Sequence, residues 1–325
     1  MTEARMREIV EVLARPEGRA VGSAGHDRAR DWLCQELDRA RLVPYGDAES
    51  FRLPYPGDRH EFDNVLGVLP GKDRALPPIL LAAHYDTCGP LPGADDNAAA
   101  IAIALTLVEP LRAAGLSRDV VLAFFDAEEP PHYLTLEMGS TRFYFTQRKG
   151  PLHCAIVLDL VGHDVPIPGY EDLLFVTGME SDPSWEPIFR TAAEVAESAE
   201  PSVRSVTTLT RYIGDMSDYH AIRVDEKPFL FLSCAQWEHY HSAEDTPEKL
   251  NYSKMATIRT FLQRAIREAD RAPFDGPFEG YDTTATEIET LRRVFAGFPL
   301  VGEDLSTRED IDALTAGLMR SFGLL

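Results

Sequence analysis

The sequence predicts an α/β fold: a three-layer α/β/α domain around a mostly parallel, mixed central sheet, with a helical extension at the C-terminus. Short apolar runs alternate with stretches of helical periodicity through the middle of the chain, as strands joined by crossover helices do. Three of these runs, ILLAA, VVLAFF and FLFL, are apolar at every position. A strand with apolar side chains on both faces is covered on both, which calls for helices above and below the sheet.

Strands are predicted over Asn64–Leu69, Ile79–Ala83, Val120–Phe125, Cys154–Leu160, Leu173–Thr177 and Phe229–Leu232. Between them, Ala29, Trp32, Leu33, Leu37 and Ala40 share one face of a helix beginning near Asp27. Asp96-Asn97 precedes the run AAAIAIALTLVEPLRAAG, where Gly115 is a natural stop despite the internal Pro110. Asp182-Pro183 offers an N-cap followed by a first-turn proline, and Ser253 to Asp270 forms an amphipathic helix. Residues 1–270 are expected to form the main domain. Residues 271–325 are expected to form a linker, RAPFDGPFEGYD, and two helices near Thr286–Phe295 and Thr307–Phe322. The second opens with Ser306-Thr-Arg-Glu309, a capping box. This tail is expected to pack on the core or on a second copy in a homo-oligomer.

A net charge of −21 argues against a nucleic-acid partner, since a phosphate backbone demands a basic face. The most apolar stretch, Ala98 to Val108, is too short to span a bilayer, so no membrane partner is expected. The N-terminus MTEARMREIVEVLARPEGR mixes acidic residues with arginines and reads as a structural helix rather than a secretion signal, so a cytoplasmic location is expected. Cys34, Cys88, Cys154 and Cys234 are scattered without a CxxC pair and read as buried free thiols, with no cysteine zinc site expected.

Ligands of open α/β sheets collect beyond the C-terminal ends of the strands. ILLAA runs into His84-Tyr85-Asp86-Thr87, VVLAFF into Asp126-Ala127-Glu128-Glu129, and CAIVLDL ends near Asp159. Asp95-Asp96-Asn97 stands directly before a helix, and His239-Tyr240-His241 follows FLFLSC. Taken singly, DAEE reads as a charged turn and a histidine after a strand as a packed core residue. Convergence of five such segments changes the reading. Two imidazoles and three carboxylates suit two zinc-like ions with one bridging carboxylate. Ions about 3.5–4 Å apart activate a water and polarise a carbonyl together.

HYDT, PGADDNAAA, FFDAEE, LDLVG, SDY and YHSAEDTPEKLNY, with GSAGHDRARDWL and NVLGVLPG upstream, resemble the co-catalytic di-zinc aminopeptidases, the bacterial leucine aminopeptidase-like metallopeptidases. The resemblance runs from roughly Val12 to Asp270 and leaves the tail uncovered. It implies two zinc ions, with His84 and Asp159 on one, Glu129 and His241 on the other, and Asp96 bridging; Asp95 would cap the helix or face solvent. Glu128 matches the general base that takes a proton from the attacking water and delivers it to the leaving amine. Asp86 would accept the other N–H of His84 and fix its tautomer. Tyr240 is either a donor to the developing oxyanion or a tyrosine packed under its loop.

Asp218 is similarly divided, because the family usually has SDH where this chain has Asp218-Tyr219-His220. His239 stands where a carboxylate is common. His132, His153 and His163 are expected on the surface or behind the site, and Tyr133 and Leu134 in a wall that selects the substrate side chain. The implied activity is removal of an N-terminal residue from a peptide, or hydrolysis of a small amide. The alternatives are a glutaminyl-cyclase-like single-zinc enzyme and a non-catalytic binding scaffold.

Overall fold

The computed structural model describes residues 2–276, 281–296 and 305–321. In chain order the helices are α1 (Thr2–Leu13), α2 (Ala24–Arg39), α3 (Ala99–Ala114), α4 (Gly139–Arg142), α5 (Trp185–Glu197), α6 (His220–Val224), α7 (Tyr252–Ala269), α8 (Thr284–Val294) and α9 (Arg308–Ser321). The strands are β1 (Val43–Pro44), β2 (Arg52–Pro56), β3 (Glu61–Leu69), β4 (Ile79–His84), β5 (Val120–Phe125), β6 (Cys154–Leu158), β7 (Leu173–Thr177), β8 (Arg204–Thr207) and β9 (Phe229–Ser233).

They form one mixed sheet in the order β1-β3-β5-β4-β6-β9-β7-β8, with β2 also paired to β3. The central strands β5, β4, β6 and β9 run parallel, whereas β3 joins β5 and β7 joins β9 antiparallel. The uniformly apolar runs sit in that parallel centre, where every residue of β4, β5 and β6 is buried. Their alternation splits the core in two. Ile79, Leu81, Val120, Leu122, Ile156 and Leu158 face the long helices α1, α3, α5 and α7, while Leu80, Ala82, Val121, Ala123, Ala155 and Val157 pack against Phe143, Tyr219 and Ile222 near the short helices α4 and α6. The two covered faces of the predicted three-layer fold are therefore unequal in depth.

Several boundaries differ from the sequence expectation. The helix expected near Asp27 begins at Ala24, because the Ser23 hydroxyl accepts the His26 N–H at 3.1 Å. Asp182 holds the turn before α5 by accepting the Ser184 N–H, so the helix starts at Trp185. Before α9 the cap is Thr307 with Asp310, whose Oδ2 accepts the Ser306 and Thr307 N–H groups, rather than Ser306 with Glu309. The strand expected to reach Leu160 stops at Leu158, with Leu160 in a left-handed conformation at φ 52°.

β1, β2 and β8 were not anticipated. They are short edge pieces, two of them containing proline, and pairing with β3 and β7 makes them strands. α3 ends at Gly115 with φ 62°, as the sequence indicates. Contrary to expectation, the helical segment Ala94–Ala114 is long and apolar enough to cross a membrane by length and composition; 61% of its apolar window is buried, and α3 packs against α1 and α7. In the tail, α8 packs on β8 with Leu291 and Val294 buried, and Glu289 pairs with Arg190 of α5 at 2.6 Å. Residues 277–280 of the expected linker and Phe322 of the last expected helix lie outside the described residues.

Candidate metal centre

β4 and β6 are neighbours, so their C-terminal ends bring His84, the last residue of β4, and Asp159, just past β6, to the same edge. His84 Nε2 lies 3.7 Å from Asp159 Oδ1 and 3.1 Å from Asp96 Oδ1. On the other side, His241 Nε2 lies 3.2 Å from Asp96 Oδ2 and 3.1 Å from Glu129 Oε2. The two oxygens of Asp96 thus face two different imidazoles. Glu128 Oε2 stands 3.9 Å from His84 Nε2. All five residues expected as ligands, and the expected base, converge.

These side chains suit divalent cations. Asp96, Glu128, Glu129 and Asp159 are each less than a tenth exposed, and carboxylates so buried need compensating positive charge. Among the described residues, both ring nitrogens of His84, Oε1 of Glu129 and Oδ1 of Asp159 are buried without a hydrogen-bond partner. His84, Asp96 and Asp159 present donor atoms at a spacing that fits one ion, and Glu129 and His241 belong to a second such group.

Burial pushes Glu128 well above the usual carboxylate range, reinforced by Asp159, Glu129 and Asp218 and opposed by His84. Burial and the charge of Asp96 push Glu129 up to about 8. For His241 burial acts downward, but the hydrogen bonds its ring donates to Asp96 and Glu129, with their charges, outweigh it and raise the imidazole pKa to about 10. The carboxylates that favour a proton on this imidazole would equally favour a metal cation beside it.

The loops are held in unusual backbone conformations. Ala127, beside Glu128, has φ 54°; Leu160, after Asp159, has φ 52°; His241 itself has φ 51°. Left-handed residues other than glycine are costly and concentrate at functional sites. Gly93 has φ 59°, and a Cβ there would meet the Asp96 carbonyl oxygen at 2.3 Å, so only glycine lets this loop turn beneath Asp96.

Asp86 is fully buried and faces the His84 nitrogen it is expected to fix, with a second task the sequence did not indicate. It sits 3.4 Å from His84 Nδ1, while its hydrogen bonds come from the backbone N–H groups of Glu128 at 3.1 Å and Glu129 at 3.0 Å. It therefore ties the loop after β5 to the loop after β4. Tyr240 stacks on the His241 ring with centroids 3.8 Å apart. Burial raises its hydroxyl pKa, followed by the charges of Asp96, Glu129, Asp159 and Glu128, which puts it against the acidic centre.

Asp95 neither caps the helix nor faces solvent. It is buried, its Oδ1 accepts the Gly162 N–H at 2.6 Å, and its Oδ2 lies 2.6 Å from His163 Nδ1. His163 is correspondingly buried and stacks on Trp237. Asp218 is buried with both carboxylate oxygens unpartnered, and burial, with Asp159 and Asp86 against the opposing His84, pushes it up to about 7. Tyr219 belongs to the core, stacked on Phe229, and His220 lies 2.9 Å from Asp215. His239 packs edge-on against Trp237. His132 pairs with Glu137, and His153 lies against the Ala269 carbonyl, so neither joins the cluster. Tyr133 donates to the Asp215 carbonyl near Glu128, whereas Leu134 is exposed.

Two residues that sequence reasoning missed hold the centre from behind. The Arg19 guanidinium is buried, and among the described residues its hydrogen bonds go to backbone carbonyls. It donates to the carbonyls of Tyr85 (2.8 Å), Leu13 (3.0 Å), Pro92 (2.7 Å) and Gly93 (2.9 Å), so one side chain clamps both loops that carry His84 and Asp96. Asp245 accepts the N–H groups of Asp95 at 2.8 Å and Asp96 at 3.1 Å. Arg19 lies outside the motifs read from the sequence, and Asp245, although it falls within YHSAEDTPEKLNY, was given no role there, since both act mainly through backbone groups distant in the chain.

The profile described as Peptidase family M28 matches residues 64–266, a span containing every residue of this cluster. The chain belongs to peptidase family M28. Among curated proteins, the uncharacterized protein YfbL of Escherichia coli is 28% identical over 209 residues, covering 56% of this chain. The chain spans 64% of the length of that relative. Among solved structures, the chain is similar to a Zn-dependent exopeptidase from Parabacteroides distasonis, with TM-score 0.65, 17% identity and coverage of 82% of this chain and 97% of that one. It is also similar to Tannerella forsythia glutaminyl cyclase, with TM-score 0.65, 18% identity and coverage of 82% and 98%. At these identities the likeness establishes the M28 chain's fold.

Proposed function

We propose that this M28 chain is a two-zinc hydrolase that removes N-terminal residues from peptides. His84 and Asp159 would hold one ion and Glu129 and His241 the other, with Asp96 available to both. The observation that carries this reading is the position of Asp96, with Oδ1 3.1 Å from His84 Nε2 and Oδ2 3.2 Å from His241 Nε2. Zinc bound there would polarise the scissile carbonyl and make the attacking water more acidic.

The remaining steps belong to the protein's own groups. Glu128 accepts the proton of the attacking water and returns it to the leaving amine; its raised basicity suits that task. Asp86 keeps Glu128 and Glu129 in place through their backbone N–H groups. Tyr240 donates to the oxyanion that develops on the carbonyl. The excess of buried carboxylates favours a substrate with a free α-amine, which is cationic at neutral pH.

A zinc count on the purified protein, combined with a screen of aminoacyl-amide reporters, tests the reading. Two ions per chain and turnover that a chelator abolishes and zinc restores are expected. Persistent turnover in fully metal-free protein would sink the mechanism. One ion per chain with release of pyroglutamate from N-terminal glutamine would replace it with cyclisation.

A further inference from the structure

A thiol stands beside the half of the centre built on Glu129 and His241. Cys88 lies four residues beyond His84, and its Sγ, a Glu129 carboxylate oxygen and a His241 ring nitrogen all lie within 4.8 Å of one another. Zinc holds a thiolate at about 2.3 Å and nitrogen or oxygen at about 2.0–2.2 Å, so each donor needs to move by no more than about 1 Å to surround one ion.

Two independent features support a ligand at this spot. Glu129 is 4% exposed, yet its Oε1 has no hydrogen-bond partner, and a buried acceptor left in that state calls for a cation or a donor. Cys88, Asp96, Glu129 and His241 also line one small cavity, together with Thr87 and Gly93. The loop carrying Cys88 is held in register: the Arg19 backbone N–H donates to Thr87 Oγ1 at 2.8 Å, and the Thr87 hydroxyl donates to the Gly89 carbonyl at 2.9 Å. The expectation of inert buried thiols fits Cys154 and Cys234, which are buried, but Cys88 is only half-buried and opens on this cavity.

We propose that Cys88 is a further ligand of the ion held by Asp96, Glu129 and His241, an inference that rests on the two-ion reading above. Binding releases the thiol proton to solvent and leaves a thiolate on the metal. The added sulfur makes this position softer than the one formed by His84, Asp96 and Asp159. It therefore selects zinc or cadmium over manganese or magnesium, while the other position discriminates less.

Cobalt(II) titration of the full-length metal-free protein tests this, read by equilibrium dialysis and near-ultraviolet absorption. Two cobalt ions are expected, with sulfur-to-cobalt charge-transfer absorption growing for one of them. Cys88→Ser should abolish that absorption and weaken one ion by about tenfold or more while leaving the other. Cys34→Ser, removing the other half-buried thiol, should change neither. Two bound ions without the absorption, or absorption that survives in Cys88→Ser, would overturn the ligand and leave the two-ion reading standing. A single bound ion with absorption dependent on Cys88 would support the ligand and overturn the two-ion reading.

Discussion

The two halves of the centre are built differently. His84 is the last residue of β4, Asp159 follows the neighbouring β6 directly, and both are deeply buried. Glu129 and His241 stand on loops, the latter eight residues beyond the end of β9 with its side chain 27% exposed. In the first half, hydrogen bonding between adjacent parallel strands sets the ligand positions. In the second they depend on ties between loops: Asp86 to the Glu128 and Glu129 amides, Asp245 to the Asp95 and Asp96 amides, and Tyr240 stacked on His241. Strand-borne groups are pre-organised by the sheet itself, whereas loop-borne groups are only as rigid as their supports.

The largest effect is expected where the halves meet. Asp96→Ala should remove both ions together and bring turnover below detection; retention of one tightly bound zinc by direct metal analysis would show that the halves are independent. Glu128→Gln should lower kcat by about 10²–10⁴-fold with the zinc content unchanged. Loss of zinc in that variant would make Glu128 a ligand.

Asp245→Asn should weaken metal binding by about 10–100-fold, because the loop before α3 loses the carboxylate that fixes two of its amides. In a chelator titration of Cys88→Ser, which lacks the added thiolate, the ion on the looser half should leave first. Simultaneous release would erase the proposed contrast.

The smallest effect concerns a support of the buried half. His26 Nε2 lies 2.7 Å from Asp126 Oδ1, and its ring stacks on Tyr85, the neighbour of His84. Burial disfavours its charge, but the hydrogen bond and charge of Asp126 raise its pKa above the ordinary 6.5. Stability from this pair is therefore complete below 6.5 and is lost as pH rises through the raised folded value. His26→Gln should cost about 1–3 kcal/mol near pH 6 and less near pH 9, measured by urea unfolding. An equal cost at both pH values would remove the charge from the account.

What could be read from the residues alone follows from locality. Val120–Phe125 and Leu173–Thr177 were predicted to the residue, because a continuous apolar run bounded by polar residues is itself the strand signal. β2, with Pro54 and Pro56, carries no such signal and exists because β3 offers it a ladder. His84, Asp96, Glu129, Asp159 and His241 could be named together because each follows a strand or precedes a helix in a recognisable motif. Arg19 lies outside those motifs, and Asp245, Asp95 and His163, although they stand in or beside them, could not be assigned their partners. Apart from the Leu13 carbonyl, six residues from Arg19, their partners are amides, carbonyls or a side chain 66 to 150 residues away, and no local pattern encodes such distances.

The sequence by itself determined the α/β class, the parallel centre and the chemical inventory of the site, since hydrophobic period and residue type act over a few neighbouring positions. Tertiary structure alone decided that Asp96 lies between two imidazoles, that Asp95 turns inward to His163, and that Cys88 reaches Glu129 and His241. Those relations depend on how β4, β5, β6 and β9 line up side by side, and strand order and register are set by packing across the whole sheet.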